Sequence, residues 1–282
     1  MRGMFKLIKM MISLGLIVIL IIAALGIYVT YIERKLLRVK EHEVVLQENG
    51  ENQLKIVQFT DTQLGKYYSL RDLERAVNKI NEEKADIVVF TGDLIDHAAQ
   101  YEQLYEVAPV LAKIEAKLGK YAVYGNHDIG GGAEKYYEDI MSEAGFEVLE
   151  NSSTTLQVDG KTIKIMGGDE AMIGWHDAQI TTEGIQDEDI NLLLLHEPDL
   201  IDDYVDYPID LALSGHSHGG QVSLPILGPI VKNHLAEKYN KGWYTLYSKN
   251  VIKLFVSSGL GNTKLPFRFG NIPVIESHKV IF

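Results

Sequence analysis

The 282-residue chain contains no cysteine. This absence excludes disulfide bonds and thiolate metal ligands, and it neither requires nor forbids an oxidising compartment. Positive charge is also scarce: 27 Lys and Arg face 39 Asp and Glu, and the net charge is −12. We therefore expect no nucleic-acid partner held on a basic face, although a phosphate substrate stays possible where cations line the site. Because no Pro/Gly/Ser-rich linker interrupts the chain after about residue 50, one folded domain is expected there.

The N-terminal part of the chain predicts a membrane anchor. Residues 11–31 carry no charge and are long and apolar enough to cross a bilayer as a helix. The short leader, residues 1–10, has three basic residues and no acidic one, which favours a cytoplasmic N-terminus and a domain outside the cytoplasm. A cleaved signal peptide is the alternative, but its apolar core is normally shorter and no A-x-A site ends this run. The sequence therefore predicts a single-pass protein of the cell membrane.

The charged residues 32–52 follow the apolar run and contain the turn signal Asn49-Gly50. This composition indicates a juxtamembrane stalk, so we expect the catalytic domain to span residues 53–282.

Hydrophobic patterns predict an α/β fold. Apolar runs predict buried strands over 54–59, 86–90, 121–124, 191–195 and 209–213. Helices are expected from Ser69, which starts a capping-box pattern, and over 100–118, where Pro109 is expected to kink or break the helix. Asp159-Gly160 between two apolar runs predicts a hairpin. The early alternation of strand and helix implies a parallel sheet, and the later hairpins imply a mixed portion.

Polar side chains that can bind metal follow five of the predicted strands. They are Asp61, Gln63, Asp93, Asn126, His196, His216 and His218. Each alone has an ordinary explanation as a turn, capping or core-edge residue. Together they predict a site, because ligands of open α/β sheets gather outside the carboxyl ends of strands.

The number and chemistry of these donors predict two metal ions. Seven ligands are too many for one tetrahedral metal but suit two metals that share a carboxylate. Oxygen and nitrogen donors without sulfur fit Mn, Fe or Zn. Two ions about 3.5–4 Å apart can activate a bridging water and stabilise an in-line displacement at phosphorus.

At this point the chain resembles the calcineurin-like metallophosphoesterase superfamily, and within it the membrane-anchored bacterial branch. The resemblance lies in five blocks over about residues 54–270: Asp61-Thr62-Gln63, Gly92-Asp93-Leu94-Ile95-Asp96, Gly125-Asn126-His127-Asp128, His196 and Gly215-His216-Ser217-His218. It implies a four-layer αββα sandwich of two mixed sheets with helices outside.

The resemblance also implies the roles of the site residues. The first metal site would consist of Asp61, Gln63, Asp93 and His218, and the second of Asp93, Asn126, His196 and His216. His127 would protonate the leaving oxygen as a general acid, and Asp96 would hold its imidazole.

One position departs from the family pattern. Gln63 stands where the family usually has histidine, and its amide oxygen is a weaker donor than an imidazole nitrogen. We therefore expect a weaker first site. A second expectation concerns Arg268, which is a candidate for binding a substrate phosphate through its guanidinium group.

The function that follows is a membrane-anchored hydrolase of phosphomonoester, phosphodiester or pyrophosphate bonds with two divalent metals. Its location favours a lipid-linked or other cell-envelope phosphate as substrate. The alternative is a degenerate, non-catalytic surface module that binds metal and recognises an envelope ligand. Gln63 is the feature that supports this alternative, whereas His127 and Asp96, which bind no metal in the implied scheme, speak against it.

Overall fold

The computed structural model describes residues 2–282, which form six α-helices and fourteen strands. The helices are α1 (Arg2–Ile27), α2 (Leu70–Glu82), α3 (Val107–Leu111), α4 (Asn126–Gly130), α5 (Glu134–Glu143) and α6 (Ala178–Thr181). The first seven strands are β1 (Arg38–Val45), β2 (Gln53–Phe59), β3 (Ile87–Phe90), β4 (Gly119–Ala122), β5 (Glu147–Val148), β6 (Ser152–Val158) and β7 (Lys161–Gly167). The others are β8 (Ile190–Leu195), β9 (Leu211–Ser214), β10 (Ser223–Leu224), β11 (Gly228–Pro229), β12 (Gly242–Tyr247), β13 (Val251–Val256) and β14 (Val274–Ile281).

Two mixed sheets of six strands each form the centre of the domain. The first has the order β1-β14-β2-β3-β4-β5, and the second has the order β12-β13-β9-β8-β7-β6. In the first sheet β2 to β5 run parallel, and β14 lies antiparallel to β2. In the second sheet β7, β8, β9 and β13 run parallel, and each edge strand joins by a hairpin.

Apolar side chains fill three layers. The layer between the sheets includes Ile56 and Val89 from the first sheet and Leu192 and Leu213 from the second. A second layer packs the outer face of the first sheet against α2, α3 and α5, and a third covers the outer face of the second sheet. The predicted fold class, a four-layer sandwich of two mixed sheets, is confirmed.

Local sequence signals account for two elements of the fold. Ser69 caps α2 by accepting a hydrogen bond from the backbone N–H of Asp72, whose carboxylate accepts one from the N–H of Ser69. This is the predicted capping box. The turn between β6 and β7 has positive φ at both Asp159 (50°) and Gly160 (78°), as a two-residue type I′ hairpin turn requires.

Two expectations about secondary structure are wrong. The helix expected over 100–118 is reduced to Val107–Leu111, because Pro109 lies within it and Gly119 already begins β4. The expected stalk, residues 32–52, contains β1, which pairs along its whole length with β14. The folded domain therefore begins near Arg38 rather than at residue 53, because the C-terminal strand supplies the hydrogen-bonding partner that β1 needs.

The apolar N-terminal segment is one continuous helix. α1 begins at Arg2, so the expected leader and the start of the expected anchor share one element, and all its side chains are exposed. Among residues 2–282 it gives the one helix long and apolar enough to cross a membrane. A π-helical turn (Tyr28–Ile32) and a 3₁₀ turn (Glu33–Lys35) connect it to the domain.

The base of α1 is fixed to the domain by hydrogen bonds. The backbone N–H of Arg268 donates to the carbonyl oxygen of Val29 at 3.1 Å, and the N–H of Asn271 donates to the carboxylate of Glu33 at 2.9 Å. Lys35 forms an ion pair with Asp72 at 2.5 Å. The helix is thus docked on the domain directly, without a flexible spacer.

Candidate metal centre

The seven side chains predicted as metal ligands follow strands of both sheets, in loops or in the first residue of a short helical turn. Those from the first sheet are Asp61 and Gln63 after β2, Asp93 after β3 and Asn126 after β4. Those from the second sheet are His196 after β8 and His216 and His218 after β9. The site therefore lies where the carboxyl-end edges of the two sheets meet, as parallel strand order predicts.

Backbone strain concentrates in these loops. Five of the seven predicted ligands have positive φ: Asp61 (52°), Gln63 (48°), Asp93 (63°), His216 (63°) and His218 (49°). Positive φ is uncommon for residues other than glycine and persists where surrounding structure imposes it, often at functional sites. The neighbouring loops thus hold these side chains in place at a conformational cost.

One group of donors matches the expected first site. Ligand atoms of Asp61, Asp93 and His218 all lie within 4.8 Å of one another, and all three residues are buried. Nε2 of His218 lies 3.4 Å from Asp61 Oδ1. Gln63 joins this group through its side-chain nitrogen, which donates to Asp93 Oδ2 at 2.5 Å.

A second group matches the expected second site and shares Asp93 with the first. Ligand atoms of Asp93, His196 and His216 lie within 4.8 Å of one another. His196 Nε2 is 3.4 Å from Asp93 Oδ1 and 3.2 Å from His216 Nδ1. Asn126 follows Gly125 and precedes His127, whose backbone N–H donates to Asp93 Oδ1 at 2.9 Å. The carboxylate of Asp93 is thus common to both donor groups.

Backbone carbonyls fix the tautomers of two histidines. His196 Nδ1 lies 2.7 Å from the carbonyl oxygen of Thr91, and His216 Nε2 lies 2.8 Å from that of His234. Because a carbonyl only accepts, each of these ring nitrogens carries the proton. The other nitrogen of each ring, Nε2 of His196 and Nδ1 of His216, faces into the site, which is how a metal-binding imidazole is usually oriented.

Several oxygen atoms in the site are buried and have no hydrogen-bond partner. They are Asp61 Oδ1, Gln63 Oε1 and Asn126 Oδ1. A buried acceptor without a donor is costly, and native structures rarely contain one without a reason. The other oxygen of Asp61 accepts from Thr60 Oγ1 at 2.8 Å and from the backbone N–H of His216 at 3.0 Å. The unpaired oxygens therefore fit cations as their partners.

The charges of the site also suit cations. Burial, with the nearby Asp93 charge, raises the pKa of Asp61 to about 7. Burial also opposes ionisation of Asp93, but the neighbouring His196 outweighs it and holds the pKa of this carboxyl well below its usual range. Burial and the adjacent His196 lower the pKa of His216 to about 4. Carboxyl oxygens and imidazole nitrogens in this buried site offer lone pairs to divalent cations, which bind in competition with protons.

Glycines of the sequence blocks let the loops approach one another. A Cβ atom at Gly125 would collide with the carboxylate of Asp93, and one at Gly92 would collide with the imidazole of His196. Both positions therefore require glycine for a steric reason, and Gly92 also has φ 88°.

Two supporting side chains were not singled out from the sequence. Asp128 is buried and accepts hydrogen bonds from the backbone N–H groups of Asp93, Leu94 and Gly125 at 2.8–2.9 Å. It joins the loops after β3 and β4. Asn233 donates to the carbonyl oxygen of His216. The position of Asp128 at N3 of a short helix was a visible signal, whereas nothing local marks Asn233.

His127 and Asp96 lie side by side at the edge of the site. Nδ1 of His127 lies 2.9 Å from the main-chain oxygen of Asp96 and 3.4 Å from its carboxylate. Burial opposes protonation of His127, but the charges of Asp93 and Asp96 outweigh it and raise its pKa. Both side chains remain partly exposed, at 25% and 32%. The backbone carbonyl, rather than the expected carboxylate, is thus the shorter hydrogen-bond partner of the imidazole.

The expectation for Arg268 is wrong. This residue is fully buried, and its guanidinium donates to the backbone carbonyl oxygens of Ser258, Gly261 and Asn271. Its Nη2 also lies 3.4 Å from Nδ1 of His218. A substrate phosphate cannot reach a guanidinium enclosed in this way. Arg268 instead braces the loop behind the predicted ligand His218.

A model of the family described as calcineurin-like phosphoesterase matches residues 54–220, which is more than half of the chain. The chain belongs to this family. It is therefore a metal-dependent phosphoesterase, and enzymes of this family use two divalent metal ions, in agreement with the two donor groups. The alternative of a non-catalytic surface module is not supported.

Curated relatives agree with this assignment. The uncharacterized metallophosphoesterase YkuE of Bacillus subtilis (strain 168) is 40% identical over 245 residues, covering 86% of this chain and 85% of its own. The phosphodiesterase YaeI of Escherichia coli (strain K12) is 26% identical and covers 71% and 74%. A transmembrane protein with metallophosphoesterase domain from Danio rerio is 28% identical and covers 78% of this chain and 51% of its own.

Proposed function

We propose that this phosphoesterase is anchored by α1 as a single-pass protein of the cell membrane, with residues 38–282 outside the cytoplasm. In this proposal it hydrolyses a phosphoester bond of a lipid-linked or other envelope-borne substrate. The acid-free basic leader supports the orientation, and a relative named as a transmembrane protein supports the anchor.

The observation that carries the membrane-borne substrate is the short path from α1 to the metal centre. The backbone N–H of Arg268 is bonded to Val29 at the base of the helix, while its guanidinium lies 3.4 Å from His218. One residue therefore separates the anchor from a predicted metal ligand. A site so close to the end of a membrane helix is confined near the headgroups of the bilayer.

The chain supplies positions for the chemistry of phosphoester hydrolysis. Bound at the two donor groups, divalent ions would activate water and neutralise charge on the phosphoryl oxygens. Asp93 would bind both ions. Asp128 would keep the loop of Asp93 in place by accepting hydrogen bonds from three backbone N–H groups. His127 lies at the exposed edge of the site, where it can reach a leaving oxygen and donate its proton.

Hydrolysis assays with the full-length protein test this proposal. The protein is reconstituted in vesicles and supplied with Mn, Zn, Fe, Ni or Mg. Rates are compared for a soluble chromogenic phosphodiester, a soluble monoester and a phosphoester lipid in the same vesicles. We expect metal-dependent turnover that is faster on the membrane-borne substrate and absent in Asp93→Ala. Turnover confined to soluble esters would contradict the membrane-borne substrate while leaving the phosphoesterase assignment intact.

The orientation is tested separately by adding protease to intact cells. We expect digestion of residues 38–282 before lysis, and mass spectrometry of the isolated protein should show that α1 is retained. Protection until lysis would show that the domain faces the cytoplasm. A mature protein that lacks α1 would show that this segment is a cleaved signal peptide and not an anchor.

A further inference from the structure

A patch of exposed apolar side chains lies beside the base of α1. It comprises Ile226, Leu227, Ile230, Val231 and Leu265, with exposed fractions of 105%, 79%, 62%, 63% and 49%. We call it the apolar rim. Ile230, Val231 and Leu265 line one pocket, and Ile226 and Leu227 form the tip of the hairpin that precedes Ile230. Exposed aliphatic side chains are ordinary when scattered, but a group of this kind marks an interaction surface.

The rim and the anchor share backbone contacts. The N–H of Ser223, at the start of the rim hairpin formed by β10 and β11, donates to the carbonyl oxygen of Phe269 at 2.8 Å. The neighbouring N–H of Arg268 donates to Val29 of the anchor at 3.1 Å. Tyr28 of the anchor and Leu224 of the hairpin also line one cavity of about 820 Å³. The hairpin therefore emerges from the domain next to the point where the apolar helix leaves it.

The tip of the hairpin is strained as well as apolar. Ile226 has φ 72°, a conformation that is costly for a β-branched residue and that glycine or asparagine would adopt more readily. The side chain does not pack against the rest of the protein, because it is fully exposed. Such a residue lowers the free energy of the protein where its surroundings are apolar instead of aqueous.

Charge around the rim suits an anionic surface. Residues 211–275 contain a single acidic residue, Glu237, although the whole chain has 39 Asp and Glu. Lys232 and Lys264 directly flank the rim in sequence, and both are exposed. Exposed lysines beside an apolar patch are typical of surfaces that lie on anionic lipid headgroups.

A pocket connects the rim to the metal centre. It has a volume of about 300 Å³ and is lined on one side by Ile230, Val231 and Leu265 of the rim and on another by Ser217 and His218. Its volume is at the lower end of the range for small-ligand sites. An apolar group that enters from the rim would thus reach the loop that carries a predicted metal ligand.

We infer that the apolar rim inserts into the same membrane leaflet as the base of α1 and forms a second membrane contact, so that the pocket opens toward lipid. The occupant of the rim is the bilayer, not another protein. The inference rests on the proposed anchoring by α1. It adds that the domain has a fixed orientation on the membrane and that the apolar part of a lipid-linked phosphoester enters the pocket from the bilayer side.

The absence of cysteine allows a direct test by single-site labelling. Full-length variants Leu227→Cys, Leu20→Cys and Tyr247→Cys are labelled with an environment-sensitive fluorophore and reconstituted in vesicles of anionic phospholipid that contain a lipid-borne quencher. Leu20 lies within α1 and reports on the anchor. Tyr247 is 82% exposed and lies at the far end of β12, about 16 Å along the strand from Gly242, which lines the anchor-side cavity.

We expect strong quenching at positions 20 and 227 and none at 247. If position 20 is not quenched, the proposal that α1 anchors the protein in the membrane is wrong. If position 20 is quenched and position 227 is not, the rim does not enter the membrane and this inference fails, while the proposed function stands. Oxidative cross-linking of two copies of the Leu227→Cys variant in place of quenching would show that a second copy covers the rim, which also overturns the inference.

A functional comparison gives an independent readout. The double variant Ile226→Asp, Leu227→Asp, at two exposed rim positions outside the lining of the pocket, should lower turnover of a vesicle-embedded phosphoester by about tenfold or more, since losing one large aliphatic contact changes binding by at least that factor. Turnover of a soluble ester should change less than about twofold, which also shows that the variant is folded. Equal loss on both substrates would indicate damage to the site and would contradict the inference.

Discussion

The two donor groups of the metal centre share Asp93 but differ in the chemistry of their other ligands. The second donor group has two imidazoles, His196 and His216, and in each ring a hydrogen bond to a backbone carbonyl turns the other nitrogen into the site. The first donor group has one imidazole, His218, together with the carboxyl group of Asp61, and the amide of Gln63 lies beside it. Nitrogen donors prefer borderline ions such as Zn, and oxygen donors suit harder ions such as Mn. Two adjacent sites in one buried cleft can therefore differ in affinity and in metal preference.

Replacing Asp93 should have the largest effect because this carboxylate belongs to both groups. We expect Asp93→Ala to lose both ions and to lower activity by far more than the about 10–100-fold that loss of a supporting partner causes. Elemental analysis of the purified variant checks the metal content. Retention of one ion would mean that the two sites do not depend on a common carboxylate.

Replacing His127 should separate catalysis from metal binding. Since His127 is predicted to bind neither ion, His127→Ala should keep both ions and lower the turnover rate by about 10²–10⁴-fold, which is the usual contribution of a general acid. Metal analysis and turnover are measured on one preparation. Loss of metal comparable with that of Asp93→Ala would contradict this division of roles.

Gln63→His should reduce the contrast between the sites. With an imidazole at position 63 we expect the first site to bind Zn about tenfold more tightly or better, which corresponds to about 1.4 kcal/mol. The native protein should need added divalent metal and should work better with Mn than with Zn at equal concentration. Titrations of activity and of bound metal compare the two proteins. If the native protein already holds two ions tightly and the variant changes neither affinity nor preference, the amide of Gln63 is not a ligand.

Asp96→Asn should have the smallest effect. The shorter hydrogen bond to His127 comes from the main-chain oxygen of Asp96, which the substitution leaves in place. We therefore expect turnover to fall less than about tenfold, the lower limit given for loss of a supporting partner, with metal content unchanged. A loss as large as that of His127→Ala would show that the carboxylate, at 3.4 Å, is the partner that matters.

Much of the metal centre was predictable because its residues occur in short blocks directly after apolar strands. Topology brings the ends of parallel strands together, so the loops of Asp61, Asp93 and His196 could be expected to meet before the fold was known. The tautomers of the histidines could not be predicted, since the carbonyl of Thr91 contacts a residue 105 positions away. The same applies to the unpaired oxygen atoms, which become informative only when their burial is known.

Local sequence is enough to predict the capping box at Ser69, the hairpin at Asp159-Gly160, the apolar N-terminal helix and the polar residues at strand ends. Each follows from the conformations of a few neighbouring residues or from the period of apolar side chains. The strand over residues 38–45 depends on the tertiary fold, because its partner β14 lies at the opposite end of the chain. It likewise decided that Arg268 is buried behind His218 rather than open to substrate. Backbone carbonyls from three separate positions enclose that guanidinium, and no pattern of neighbouring residues encodes such an arrangement.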